Sequence, residues 1–598
     1  MKPQQKEFAY GLDFGTSKTA LARARCNDPN PHVKDIMLCE ARDEEETASC
    51  LLVYRETREI AGFGTMAVHD YLFMEPSEQE CYELIVNFKP HIHQQEEAEW
   101  AARQFFAGVV DLPSVANDFA RNGEVAALAV GKPASWPPCA EKLVRELLTE
   151  KGYPNPVCLP EPIGALFYHL SETITAEDAK KDILVVDWGA GTCDFTIMRD
   201  GQLNALEHWG SNIFGGRLFD DLFYQWIAQS VRTAGKHVAA LDRIQANPTG
   251  KDTFLALIIA REVKEDYSNW LRGAKKWPYR YRHSIEVGDA TCHLGAFVIS
   301  DPGEFERRAR NFVPTKRCRK WSAAGAQDSP LTDIDQPFLA TLLADQPTDL
   351  LAWGEALIQR GVQGLRPDRA PLAILAGGST RWPWFEEAIK KTLPFQGREK
   401  WVLTDPKPAL TIAQGLCRAV AISIYAGTLV DKLGAVKAEL ITALRDEFVA
   451  PRYASFAQGI VTLIMGDRGP KIREALHKWQ NWGSAETARE QLESIMRDWL
   501  SSGGKEKIRA DVESINHAAE KFIWTLARKH DIKVEGLLER TADIYRPVRK
   551  DDWSEEILHV IDQYLTLSFW EEVFRWFGEL LSLAFHALQD RGREETQP

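Results

Sequence analysis

Residues 183–198 read ILVVDWGAGTCDFTIM. An apolar run ends on Asp187, passes through Gly189, Ala190, Gly191 and Thr192, and returns as a second apolar run through Asp194. The pattern predicts two strands folded back on a turn of nearly bare backbone. Such a turn can be a plain reversal, because glycine is common wherever strands reverse. It also offers chemistry. Converging N–H groups of small residues make a nest for an anion, and Thr192 adds a hydroxyl donor. A carboxylate beside an anion would repel it, so Asp187 makes sense if Mg²⁺ and its water shell lie between acid and phosphate. Residues 8–25, FAYGLDFGTSKTALARAR, repeat this grammar: Asp13, then Gly15, Thr16, Ser17 and Lys18, then an apolar return. No GxxxxGK[ST] segment occurs, which excludes the strand-to-helix phosphate loop.

A third stretch, LAILAGGSTRWPWFEEAIK at 372–390, reads as a buried strand, a Gly377-Gly378-Ser379 turn and a helix. Taken in order, the three stretches resemble the ATPase domain of the seventy-kilodalton heat-shock chaperones, within the actin-like ATPase superfamily. GLDFGTSKT is similar to its first phosphate hairpin, DWGAGTCDFTIM to its second, and LAGGSTRWP to its adenosine motif. LPEPIGALFYHL (159–170) resembles its first connecting helix, and GGRLFDDLF (215–223) follows the second hairpin at a fitting distance. The resemblance covers roughly 7–428.

What it implies can be placed residue by residue. Asp13 and Asp187 would hold Mg²⁺ through its waters. Gly15, Thr16, Ser17, Lys18, Gly189, Gly191 and Thr192 would cradle the phosphates of ATP or ADP, with Gly215 and Gly216 behind the second hairpin. Asp194 would be a further acid near the metal and the attacking water, and Glu161 the connecting-helix glutamate near that water. Lys89, in YELIVNFKP, is the candidate for positioning the water; its plain alternative is a solvated lysine. Gly377, Gly378, Ser379 and Arg381 would flank the adenosine, and Lys264, in AREVKEDYS, would lie on its ribose side. The chain departs from the family at Arg261 and Glu265, whose charges are swapped, and at Lys407, where an acid is expected.

The whole chain sets the frame. At 598 residues it is long enough for two or more units, and 44% apolar with 26% charged residues is ordinary for a globular protein with large cores. The net charge of -14 argues against a general grip on nucleic acid or anionic lipid. Ten cysteines without CxxC or metal-ligand spacing read as reduced thiols of a cytoplasmic protein. No signal peptide and no window of ~18 uncharged apolar residues is evident.

Up to about 430, β-rich runs alternate with helical patterns, so an α/β domain is expected over 1–430; by resemblance it is two-lobed and actin-like, of the ribonuclease H-like class. A segment rich in Pro, Asp, Ala and Gln, near 314–350, reads as a long surface insertion. Beyond 430 the pattern predicts an all-helical domain, 431–598, broken at GDRGPK (466–471) and SSGGK (501–505). No internal repeat is found in the sequence. A basic run at 307–320 reads as a solvated face, or as a dock for an acidic partner or RNA. Residues 565–588 form an amphipathic pattern with a wide apolar face. Its readings are a core helix, a partner-docking face and, more weakly because its polar face is acidic, a membrane-surface helix.

The function expected from all this is an ATP-dependent conformational switch. Slow hydrolysis of Mg-ATP would be coupled to a helical domain that engages a protein client or assembly partner. The family's peptide-gripping β-sandwich has no counterpart in the C-terminal region, and no sequence-specific nucleic acid is expected as partner. The alternatives are a nucleotide-binding scaffold that hydrolyses nothing, a small-molecule kinase of the same superfold, and a filament-forming actin relative.

Overall fold

The computed structural model describes residues 7–530 apart from short stretches, the longest 274–279, 394–401 and 508–517. The amphipathic pattern at 565–588 lies outside the described residues, as does Lys407. The chain divides into two compact units with the boundary between Ala426 and Gly427, inside helix Pro408–Ala443.

The first unit is mixed α/β and is organised by two sheets. Strand Phe8–Phe14 explains the first. Its large residues, Phe8, Tyr10, Leu12 and Phe14, alternate with Ala9, Gly11 and Asp13, so the pleat sorts bulk to one face and small residues to the other. The bulky face packs on helix Glu96–Asp111 through Ala102, Phe105 and Phe106. The small face carries Ala9, with Ala20, Ala22 and Ala129 from neighbouring strands, and meets helix Pro408–Ala443 at very short range. A Cβ on Gly11 would run into the Ala413 carbonyl and the Cys417 amide, which is why glycine stands there.

Strand Ile183–Trp188 repeats the arrangement. Leu184, Val186 and Trp188 join a large aromatic core with Phe214 and Phe385, while Ile183 and Val185 join the same inner core as Ala9. The two sheets also share an order. The first runs Val33–Ile36, Lys18–Arg25, Phe8–Phe14, Ala126–Lys132, Pro156–Pro160, with Glu46–Ala48 paired to the second of these. The other runs Gln202–Ser211, Cys193–Arg199, Ile183–Trp188, Leu372–Ala376, Val402–Thr404. In both, the first three strands are antiparallel and the last two add in parallel. The backbone is thus duplicated although the sequence shows no repeat.

Between the sheets lie helices Glu161–Glu172 and Pro408–Ala443, which supply Ala165, Leu166, Ala413, Leu416 and Cys417 to the inner core. A small antiparallel sheet, ordered Ile60–Phe63, Cys50–Tyr54, Tyr82–Val86, leads into the turn that carries Lys89.

The segment near 314–350 is not a surface loop. It forms helices Lys316–Asp328 and Asp335–Leu343, and Cys318, Leu339 and Leu342 enter the aromatic core. Its polar composition is used inward. Buried Asp335 accepts hydrogen bonds from Ser211 Oγ (2.8 Å) and Trp353 Nε1 (2.9 Å), and Asp349 caps the next helix through Ala352 N (2.8 Å).

In the second unit every described element is helical. The break expected at GDRGPK is absent: helix Ala450–Trp482 runs through it with Pro470 inside. Asp467 accepts from Trp499 Nε1 (2.8 Å) and pairs with Lys507 (2.6 Å), so neighbouring segments hold this turn helical. The break at SSGGK is present, with Gly503 at φ +105°. Among the described residues no helix is long and apolar enough to cross a membrane, and none of the described cysteines forms a disulfide.

Candidate phosphate and cation site

The central strand of each sheet carries an acid one residue before its end, Asp13 in Phe8–Phe14 and Asp187 in Ile183–Trp188, and each acid shares its face with the inner-core residues Ala9 and Gly11 or Ile183 and Val185. Beyond each acid comes the tight turn. In the first hairpin Gly15 N donates to Lys18 O (2.9 Å), and Ser49 Oγ braces the turn at Gly15 O (2.7 Å). In the second, Gly189 N donates to Thr192 O (2.9 Å). A Cβ built on Gly191 would fall 3.4 Å from Thr16 Oγ1, so the tips of the two hairpins face each other at close range.

Both hairpins open into one cleft of about 440 Å³, within the range of small-molecule sites. It is lined by Asp13, Gly15, Thr16, Ser17, Lys18, Lys89, Glu161, Asp187, Gly189, Gly191 and Thr192. Gly216, Lys264, Gly377, Gly378, Ser379 and Arg381 line it as well. Two residues expected in the site lie behind its wall. Asp194 is buried opposite Asp187 across the hairpin, and Gly215 precedes helix Gly216–Ala234.

The glycines of the second hairpin region are spaces that something else needs. Gly377 has φ +80°, and a Cβ there would fall 2.5 Å from Asp187 Oδ1. One on Gly216 would fall 2.5 Å from Ser379 Oγ, and one on Gly215 would fall 2.5 Å from Ala190 O. Ser379 Oγ in turn donates to Gly189 O (3.1 Å), tying the third motif to the second hairpin.

Electrostatics concentrates around the two hairpin acids. Lys89, 3% exposed, is ion-paired with Glu161 at the start of helix Glu161–Glu172 and lies 5.7 Å from the Phe14 ring. It is buried and paired, not solvated. Burial first, then the charge of Glu161, push the Asp13 carboxyl up to about 8, against the pull of Lys89 and with a small push from Glu46. Burial also raises Asp187 well above the carboxylate range, with Glu161, Asp194 and Asp13 adding to it. Asp187 is thus within electrostatic reach of Glu161, Asp194 and Asp13, and Asp13 of Glu161, with Lys89 the cation that opposes them in both cases. Carboxyls crowded and buried in this way favour their neutral form, and a divalent cation beside them would favour the ionised one. Among the described residues, no group of three or more His, Cys, Asp or Glu side chains is placed to hold a metal ion directly.

Elsewhere in the lining Lys264 Nζ meets Asp220 Oδ1 at 2.6 Å and Arg261 Nε meets Asp220 Oδ2 at 3.2 Å. Burial would raise the Asp220 carboxyl, but these two cations outweigh it and hold it below the usual range. Arg261 and Glu265, the charge-swapped pair, both line the cleft, with Ser268, Asn269 and Trp382. Sequence reasoning missed Asp220 and also Glu46, which lines the cleft and pairs with Lys18. Glu46 reaches it because Ala20 stands opposite both Asp13 and Glu46 across neighbouring strands. In the sequence it is one of three consecutive glutamates, indistinguishable from a solvated run.

The basic run at 307–320 is partly neutralised within the chain: Arg308 pairs with Glu304 (2.8 Å), Arg310 with Asp349 (3.1 Å) and Arg319 with Asp345. No family model matches the chain.

Proposed function

We propose that the cleft binds a Mg²⁺-nucleoside triphosphate between the two hairpins, as an actin-like, two-lobed ATPase of the heat-shock chaperone type would, and that its slow hydrolysis makes the chain a conformational switch. The observation that carries this reading is the duplicated sheet, each copy carrying an acid next to the end of its central strand and turning a small-residue hairpin toward the same cleft. The resemblance of the three motifs to the ATPase family supports it independently.

The residues present fit the group. The backbone of Gly189–Thr192 and Gly15–Ser17, with the hydroxyls of Thr16, Ser17 and Thr192, would donate to phosphate oxygens. Asp13 and Asp187 would hold Mg²⁺ through water, because carboxylates set apart on two sheets suit a cation that gives up its waters reluctantly. Bound Mg²⁺ would neutralise phosphate charge and fix the phosphate chain. Lys89 would place its ammonium beside the phosphates, and Glu161, fixed by Lys89, would accept a hydrogen bond from the attacking water. Lys264, Ser379 and Arg381 would line the ribose and base.

Because one hairpin belongs to each sheet, a phosphate held by both ties them together, and its loss frees one against the other. The crossing of helices Glu161–Glu172 and Pro408–Ala443 between the sheets is the natural pivot. The helical second unit would be where this signal meets a protein partner, in the cytoplasm.

A second reading, a scaffold that binds without hydrolysis, draws on the Lys89–Glu161 pair, which engages both candidate hydrolytic side chains with each other. Equilibrium binding of Mg²⁺-ATP tests the first claim, and no measurable affinity at millimolar nucleotide would end it. Single-turnover hydrolysis by the bound enzyme separates switch from scaffold.

A further inference from the structure

Arg217 stands where the two hairpins meet. Its N–H donates to Ala190 O (2.9 Å), next to Gly216 N on Gly189 O (3.0 Å), so the start of helix Gly216–Ala234 is fastened to the second hairpin's turn. The side chain turns back over the tip. The position of a Cβ on Gly191 is 3.0 Å from Arg217 Nη2 and 3.4 Å from Thr16 Oγ1. One point in space therefore neighbours the guanidinium, the bare tip of one hairpin and the hydroxyl of the other.

The guanidinium is also supported from beyond the site. It lies 5.8 Å from the Trp321 ring, and Arg317 lies 4.8 Å from the same ring. Trp321 belongs to helix Lys316–Asp328, which packs in addition against the turn Lys89–His91. Helix Lys316–Asp328 thus packs both beside Arg217 and against the turn that carries Lys89.

An arginine whose guanidinium already lies over an aromatic ring loses less side-chain freedom on binding than an unsupported one. Its planar fork matches two oxygens of one phosphate. Arg217 is not itself part of the cleft lining, but it adjoins Gly191, which is, so a phosphate chain gripped by Thr16, Gly191 and Thr192 would point its end toward this gap. We propose that Arg217 binds the terminal phosphate of a nucleoside triphosphate held between the hairpins, with Trp321 as its positioning residue. The inference rests on the nucleotide reading of the cleft and deepens it: the site selects triphosphate over diphosphate.

The test is equilibrium binding of Mg²⁺-ATP and Mg²⁺-ADP to the full chain and its variants, each first shown to melt like the wild type. Arg217→Gln is expected to weaken ATP binding about 10-fold and ADP binding less than about 2-fold, the loss of one charge-assisted phosphate contact. Arg217→Lys should recover only part, since an ammonium offers no fork. Trp321→Ala should lower the ATP:ADP affinity ratio with Arg217 intact, and Trp321→Phe should restore it, an outcome that a merely structural tryptophan would not produce. Equal weakening of both nucleotides by Arg217→Gln, or no weakening of either, overturns the assignment while leaving the nucleotide site standing. A wild-type chain that binds neither nucleotide overturns both.

Discussion

The carbonyl of Gly164 occupies the space that a Cβ on Gly415 would need. The contact is reciprocal, because a Cβ on Gly164 would sit 2.7 Å from Ile412 O. Helices Glu161–Glu172 and Pro408–Ala443 therefore cross backbone to backbone, between the two sheets whose acids line the cleft. Gly415→Ala is expected to force the helices apart and cost on the order of 2 kcal/mol, the usual range for overpacking a tight core. Denaturant unfolding of the first transition measures it. Because the crossing is the proposed pivot, the variant should also change how strongly Mg²⁺-ATP alters protease sensitivity. An unchanged midpoint would mean the helices can separate freely.

Gly377 makes a sharper case for the site itself. Its φ of +80° disfavours any side chain, and the missing Cβ is the room in which Asp187 Oδ1 sits. Gly377→Ala is expected to cost about 1–3 kcal/mol in stability through strain. Its more telling effect is to displace the Asp187 carboxylate, which should lower Mg²⁺-dependent nucleotide affinity roughly 10-fold. Calorimetric titration at a temperature where both proteins are folded separates the two effects. Undiminished affinity would show that Asp187 is not held where the cation is proposed to lie.

What was legible in the sequence, and what was not, divides along physical lines. The mixed α/β class of the first unit could be read because FAYGLDF and ILVVDW each carry their own strand period and their own turn residues. The acids at the ends of those strands were legible for the same reason: Asp13 and Asp187 stand where a buried run stops. Glu46, Asp220 and Arg217 were not, since their place depends on strand register and on how a helix starts against a hairpin, neither of which leaves a local signal. The duplication of the two sheets was hidden because it lies in backbone order. One sheet turns Ala9, Gly11 and Ala20 inward where the other turns Ile183, Val185 and Asp194. The 314–350 region misled by composition: Asp335, which reads as loop chemistry, is buried and takes hydrogen bonds from Ser211 and Trp353.

Lys89 and Glu161 form a buried ion pair, so their substitutions should be strongly non-additive. Lys89→Met strands a carboxylate next to Asp13 and Asp187 and is expected to destabilise by about 3–5 kcal/mol. Adding Glu161→Gln removes the stranded charge and should return at least half of that loss. A double-mutant cycle in urea measures the coupling. Additive losses would mean that the two side chains are not paired in the folded protein. Both variants should also slow single-turnover hydrolysis if the switch reading holds, whereas nucleotide affinity should change less than the rate.

His169, 1% exposed on helix Glu161–Glu172, gives the fold an acid limit. The Thr173 hydroxyl lies 2.8 Å from His169 Nδ1 and 3.2 Å from the His169 carbonyl, and Nε2 is buried with no hydrogen-bond partner among the described residues. Protonation would place a second N–H in a buried site, and burial accordingly lowers the imidazole from its ordinary value of 6.5 to about 4. The sign follows from proton counting. Between about 4 and 6.5 the unfolded chain holds a proton at this position that the folded chain does not. Stability therefore rises with pH through that window, by at most about 1.4 kcal/mol per pH unit, and the contribution is complete above 6.5. His169→Gln, which cannot titrate, is expected to flatten the pH dependence of the urea midpoint between pH 4 and 6.5 relative to the wild type. Parallel curves for the two proteins would show that His169 takes up its proton in the folded state and is not the neutral, buried group inferred from its contacts.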